Sequence, residues 1–268
     1  TVLYTKGSPV QRDQEIAWTH GGGGPSYYFE APSWQASQPL AAPGRAVAFR
    51  PTAGVPVPGG MVAARKEAAK RHLLPPPYVI KPVAEGSSVG VFIVREDHKH
   101  PPQELTRADW AFGDQILVEP YIPGKELTCA VMGDRVLGVI EIVPTVKFYD
   151  YEAKYAPGGS KHLLPAPIAA DVYREVQRLS LAAHRALGCR GVTRSDFRFD
   201  DSLGVKGLFC LEVNTLPGFT SKSIFPEAAA YEGIAFGPLV DRLVKRAFHR
   251  HRAAGIGDRG HAANRLRY

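Results

Sequence analysis

Residues 191–223, GVTRSDFRFDDSLGVKGLFCLEVNTLPGFTSKS, constrain the fold more than any other stretch. Between Val192 and Phe199, small or apolar residues alternate with Arg194, Asp196 and Arg198, which is the period-two pattern of a strand with two unlike faces. Asp200-Asp201-Ser202-Leu203-Gly204 is turn chemistry, and residues 208–213 return as a second strand. The spacing predicts a hairpin on which Asp196, Glu212 and Asn214 can project to one side. Glu212 and Asn214 are two apart, so they share a strand face. Two carboxylates and an amide oxygen are the hard ligands that Mg²⁺ takes when substrate phosphates complete its octahedron. Arg194 shares the face of Asp196 and offers a fixed cationic fork for charge that develops in a reaction. The same side chains also suit the polar, solvated face of an ordinary hairpin. Against that stands the setting of Glu212 among Leu208, Phe209, Leu211 and Val213, since a carboxylate buried without a partner is costly. A bound metal answers that cost.

The chain's net charge of +7 raises the question of nucleic acid, and its distribution answers it. Residues 245–268 hold seven Lys or Arg against one Asp, so the rest of the chain is close to neutral. No basic stripe is interleaved with aromatics, and no nucleic-acid partner is expected. With 44% hydrophobic and 22% charged residues, composition is globular. Cys129, Cys189 and Cys210 lie in apolar contexts without metal-type spacing, which fits packing roles in a reducing cytoplasm. No apolar run approaches the ~18 residues of a membrane span, and no secretory signal is visible. A cytoplasmic protein without a membrane partner is the expectation.

Upstream, residues 1–50 are broken by the glycine run 21–24 and by Pro25, Pro32, Pro39 and Pro43, and no element is predicted there. Good helix formers over 63–72 predict a helix stopped by Pro75-Pro76-Pro77. Tyr78-Val79-Ile80-Lys81-Pro82 reads as a buried strand, followed by the small-residue turn Glu85-Gly86-Ser87-Ser88-Val89-Gly90 and a returning strand over 91–94. A lysine leaving a buried strand beside such a loop can place its ammonium on phosphate oxygens while loop N–H groups wrap them; a purely structural turn has the same composition. A short helix is expected over 104–112 and a strand over 115–119. In the segment that follows, Glu119 can accept from the amine of an adenine, and Tyr121 and Ile122 offer backbone groups and apolar surface. Glu126 can accept from ribose hydroxyls, although a strand–turn–strand with solvated acids would look alike.

Residues 127–132 and 136–140 alternate around Gly133-Asp134, a strong hairpin dipeptide, so the sheet is largely antiparallel. Residues 148–155, FYDYEAKY, precede Gly158-Gly159 and suggest a closing loop, or aromatic packing onto the sheet. Val172, Val176, Leu179, Ala183 and Leu187 mark one face of a helix over 169–187 that Gly188 ends; His184 on it suits packing or the surface better than ligation. Residues 218–223 form a small polar loop able to bind a carboxylate. A last amphipathic helix over 236–250 carries Phe236, Leu239, Val240, Leu243, Val244 and Ala247.

These motifs, in this order and spacing, resemble the ATP-grasp superfamily and in particular the D-alanine–D-alanine ligases, from about residue 53 to about residue 248. The matching stretches are Ala53-Gly54-Val55-Pro56-Val57-Pro58, the lid motif KPxxEGSSVG from Lys81 to Gly90, the hinge from Glu119 to Glu126, the loop FYDYEAKY and the hairpin with Asn214-Thr215-Leu216-Pro217-Gly218. The resemblance implies an α+β fold of the ATP-grasp type, two subdomains with largely antiparallel sheets clamping a nucleotide. The layout would be an irregular or truncated segment 1–52, a central subdomain 53–122, a C-terminal subdomain 123–250 with the metal site, and a basic disordered tail 251–268.

The implied activity is ATP-dependent, ADP-forming ligation of two D-alanines through an acyl phosphate, for peptidoglycan precursors. By resemblance Lys81 and Lys154 contact ATP, Phe148 packs on adenine, and Glu119, Tyr121, Ile122 and Glu126 hold adenosine. Ser87 and Tyr155 hold and orient substrate, Gly218 and Ser223 contact it, and Arg194 stabilises the tetrahedral oxyanion. Asp196, Glu212 and Asn214 ligate Mg²⁺ or Mn²⁺, two ions in the family. Partners would be ATP, D-alanine and, as is common in the family, a second copy in a homodimer. Two features depart from the family. Its N-terminal domain, with a glycine-rich loop and a glutamate for the first D-alanine, has no clear counterpart. Its ATP-binding lysine before the Ala53-Gly54 motif falls at Pro43, with Arg45 the nearest cation. A nucleotide-binding remnant and a ligase for another carboxylate–amine pair are therefore the alternatives.

Overall fold

The computed structural model describes residues 15–18, 27–30, 54–83, 90–144, 160–220 and 223–253. Two short strands, β1 (Glu15–Trp18) and β2 (Tyr27–Glu30), pair antiparallel where the sequence predicts no element. Aromatic residues and Ile16 suit strands, and that preference outweighs the breaks on either side.

The next unit comprises β3 (Met61–Ala64), α1 (Arg65–Lys70), β4 (Tyr78–Pro82), β5 (Phe92–Val94) and β6 (Gln115–Pro120). Its four strands form an antiparallel sheet of order β3-β6-β4-β5. The helix predicted over 63–72 is shorter, because Ala63 and Ala64 pair with Ile116 and Gln115 of β6. Cross-strand bonding overrides the helix propensity of alanine there. Only a 3₁₀ turn, Gln103–Thr106, replaces the helix predicted over 104–112. Trp110 packs instead on Phe92 and Phe112, with ring centroids 6.2 and 4.9 Å away. Alternation in β4 sends Tyr78 and Ile80 into a core with Ala68, Val94, Leu105, Ile116 and Val118. Lys81 falls on the other face.

The larger unit holds β7 (Lys125–Met132), β8 (Arg135–Pro144), β9 (Ser160–Leu163), α2 (Ala170–Ala186), β10 (Val192–Phe199), β11 (Leu208–Asn214), α3 (Ile224–Tyr231) and α4 (Phe236–Ala253). The strands form a second antiparallel sheet of order β11-β10-β7-β8-β9. One face, through Leu127, Cys129, Val139, Phe197, Phe199, Leu208 and Cys210, packs on Val172, Val176 and Leu179 of α2. Gly188 ends that helix at φ +63°, with its N–H donating to the Arg185 carbonyl at 2.9 Å, as a left-handed C-terminal glycine does. The opposite face is split. Ala130, Met132, Leu137 and Ile140 meet Phe225, Ala228 and Ala229 of α3 and Leu239 of α4, and the remainder of that face is polar. The apolar face predicted for α4 is only partly used: Leu239 is buried and Leu243 packs beside it, whereas Phe236, Val240 and Val244 are exposed. One edge of the stripe reaches the core and the other does not.

Candidate active site

The polar part of the second sheet is built by register. Asp196 of β10 stands opposite Glu212 of β11 and opposite Thr128 of β7, and Arg194 stands opposite Asn214 and Ala130. Residues directly opposite one another share a face, with Cα atoms roughly 4.5–5.5 Å apart. Arg194, Asp196, Glu212 and Asn214 are therefore brought together, as the sequence predicts.

How β11 achieves this is not visible in the sequence. Phe197 pairs with Cys210, yet the adjacent Asp196 pairs with Glu212, so Leu211 is an extra residue in a β-bulge. Without it, Glu212 would follow the parity of Leu208 and Cys210 and face the α2 core. The bulge re-aims the carboxylate to the polar face, a common use of bulges beside active sites.

Asp196 is held from two directions. Arg194 donates to it through a two-pronged contact, Nε to Oδ1 at 2.8 Å and Nη2 to Oδ2 at 2.7 Å. The Thr128 hydroxyl donates to Oδ1 at 2.6 Å. The Asn214 side-chain oxygen accepts from the Leu216 N–H at 3.0 Å, which turns the chain out of β11. Downstream, an added Cβ on Gly218 would lie 2.9 Å from the Ser223 hydroxyl oxygen. That hydroxyl also accepts from the Thr220 N–H at 2.9 Å, so Gly218, Thr220 and Ser223 form one small polar corner.

The first sheet contributes a second cluster. The Lys81 ammonium meets the Glu119 carboxylate at 2.5 Å, both side chains being largely buried. An ion pair in that position has lost much of its solvation, which good geometry must offset. Gly60 leaves room for it: a Cβ there would come within 2.7 Å of the Glu119 Cγ and 2.8 Å of the Val118 carbonyl oxygen. Arg198 joins the two clusters. It lies two residues along β10 from Asp196, and its guanidinium donates to the carbonyls of Ile122 (3.0 Å) and Gly124 (2.8 Å). Glu126 stands directly opposite Arg198 in the sheet. Ser87, Phe148, Lys154 and Tyr155 lie outside the described residues.

Thr128, Arg198 and Gly60 have no role that the sequence alone assigns. Arg198 shares the alternation of Arg194 and Asp196, and that alternation is its signal in the sequence. Thr128 and Gly60 become significant only through partners far away in the chain. Asp196, Glu212 and Asn214 fit a divalent cation by donor chemistry, all hard oxygens on one face. No cluster of three or more His, Cys, Asp or Glu side chains gathers among the described residues. Two carboxylates and one amide oxygen leave positions on such an ion that substrate oxygens would have to fill.

Residues 58–245 match the family model described as D-ala D-ala ligase C-terminus. The chain belongs to that family. It is 66% identical over 196 residues to a D-alanine–D-alanine ligase of Xanthobacter autotrophicus, covering 73% of this chain and 64% of the relative. It is 64% identical over 197 residues to one from Rhodopseudomonas palustris, with the same two coverages. In three dimensions it is similar to the D-alanine–D-alanine ligase of Bacillus anthracis complexed with ATP, with a TM-score of 0.55 and 26% identity over 75% of this chain and 64% of that one. The chain thus spans about 64% of the length of the curated relatives it matches. The two antiparallel sheets with their helices are those of an ATP-grasp D-Ala-D-Ala ligase fold. No helix among the described residues is long and apolar enough to cross a membrane.

Proposed function

We propose that the chain carries the nucleotide- and metal-binding part of an enzyme that joins two D-alanines at the expense of ATP, supplying D-alanyl-D-alanine for peptidoglycan precursors. The observation that carries this reading is the bulged pairing of β10 and β11, which sets Asp196 against Glu212 with Arg194 and Asn214 alongside. In the proposed layout, residues 53–122 and 123–250 are the two halves that clamp the nucleotide.

The carboxylate of one D-alanine attacks the γ-phosphate of ATP, giving an acyl phosphate and ADP. The amine of the second D-alanine then adds to the acyl carbon, and the tetrahedral intermediate expels inorganic phosphate. Lys81, Lys154 and Arg194 surround the phosphates with positive charge, which is most of what catalysis of phosphoryl transfer demands. Asp196, Glu212 and Asn214 would hold Mg²⁺ or Mn²⁺, two ions in this reading. Such ions relieve the repulsion between the attacking carboxylate and the triphosphate. Glu119, Tyr121 and Ile122 receive the adenine, Phe148 covers it, and Glu126 accepts from the ribose. Ser87 and Tyr155 orient the amino acids, while Gly218 and Ser223 line the corner where a substrate carboxylate is held. Arg194, locked by Asp196, then faces the oxyanion of the tetrahedral intermediate with little reorganisation.

Calorimetry and a phosphate-release assay test this together. The wild-type chain is expected to bind ATP in the presence of Mg²⁺, and Asp196→Ala to lose the metal-dependent part of that affinity. In the enzyme, Arg194→Met should lower D-alanine-dependent turnover by about 10²–10³-fold. Unchanged metal-dependent affinity in Asp196→Ala would remove that carboxylate from the ligand set. Phosphate release with other amino acids but not D-alanine would overturn the substrate assignment.

A further inference from the structure

The segment Tyr121–Gly124, between β6 and β7, is pinned at both ends. The Tyr121 N–H donates to the Pro77 carbonyl at 3.1 Å. At the other end the Arg198 fork takes the Ile122 and Gly124 carbonyls, and its guanidinium carbon lies 5.8 Å from the centroid of the Tyr121 ring, within cation–π range. Pro120 and Pro123 have no N–H to give. Between residues 120 and 123, the Ile122 N–H is therefore the backbone donor left for a ligand, without an acceptor among the described residues. Holding Tyr121 N on one side and Ile122 O on the other restrains the peptide that carries this N–H.

We propose that Arg198 is a positioning residue for purine selection: by holding the Ile122 and Gly124 carbonyls it fixes the Ile122 N–H as a donor to an unprotonated ring nitrogen of adenine. The inference rests on the reading of this segment as the adenine site. Its chemical consequence is discrimination at the purine N1 and C6 edge. Adenine offers an acceptor at N1, whereas hypoxanthine carries a proton there and would set donor against donor. A site built to hydrogen-bond one partner rejects the analogue that leaves its donor unpaired. Arginine is required because a planar fork can serve two carbonyls at once, which a lysine ammonium on a flexible stem does not reproduce.

The test compares ATP and ITP binding, with Mg²⁺, to the wild type, Arg198→Met and Arg198→Lys by calorimetry. The wild type is expected to prefer ATP over ITP by tenfold or more, corresponding to about 1.4 kcal/mol. Arg198→Met should bind ATP about tenfold more weakly and ITP within about twofold of wild type, so that the preference nearly vanishes. Arg198→Lys should fall between. A general structural role would weaken both nucleotides alike, and that result overturns the inference. So does Arg198→Met binding ATP as the wild type does, since the adenine reading then stands without Arg198. A wild type that binds neither nucleotide sinks the adenine reading and this inference together.

Discussion

Gly124 combines a left-handed backbone with a close backbone neighbour. Its φ is +85°, and a Cβ there would run into the backbone carbonyl of Phe199. An L-residue in a left-handed conformation costs about 1–2 kcal/mol before any clash is counted. Gly124→Ala is therefore expected to lower unfolding free energy by at least about 2 kcal/mol, read as a shift of the urea midpoint. A change below about 0.5 kcal/mol, the scale of a neutral surface substitution, would mean the turn relaxes freely. Gly60 and Arg198 make the same point without strain: each matters because of what the fold brings against it. Arg194 and Asp196 differ in this respect. They are two apart on one strand, so their contact follows from local geometry and was legible in the sequence.

Among the elements, α2 was the most legible, since Val172, Val176, Leu179 and Ala183 recur at helical spacing and all are buried. His184 near its end is buried as well, its Nδ1 lying 2.8 Å from the Thr193 hydroxyl oxygen. Burial pushes its pKa below the ordinary imidazole value, Asp134 opposes that, and Arg185 and Arg246 add to it. The native imidazole therefore gives up its proton more readily than the unfolded one, which protonates below about 6.5. The unfolded state then binds more protons, so stability rises with pH. The contribution of neutral His184 is full above about pH 6.5 and is lost as pH falls below it. Urea midpoints at pH 7.5 and 5.5 should differ less for His184→Gln than for the wild type; an equal difference would show that His184 titrates alike in both states. β11 was legible as a strand but not as a bulged one. Its bulge reflects competition between Cys210, which belongs to the α2 core, and Glu212, which belongs to the polar face. Two positions apart, they could not both be satisfied by a regular strand.

At the scale of the molecule, cores lie on both sides of the second sheet, and the one against α2 takes in Cys129 and Cys210. Cys129 sits in the core against α2, and burial pushes its thiol up to about 12. Cys189 is pushed by burial to about 11. Since the thiolate is the reactive form, both should resist a disulfide reagent at pH 8 in the native protein and react within the mixing time in denaturant. Fast native labelling of Cys129 would contradict the packing described. Neighbours along the chain set the alternation in β4, β7 and β10, the helical face of α2 and the turn glycines, and these are legible in the sequence. Those follow from the two periodicities of polypeptide geometry. Partners far off in the chain set the strand at Met61–Ala64, the extra residue Leu211, and the Arg198 fork on the Ile122 and Gly124 carbonyls, and these emerge only in the folded chain. A one-residue change of register moves a side chain to the other face of a sheet. Pairing across the sheet sets that register, and local preference does not.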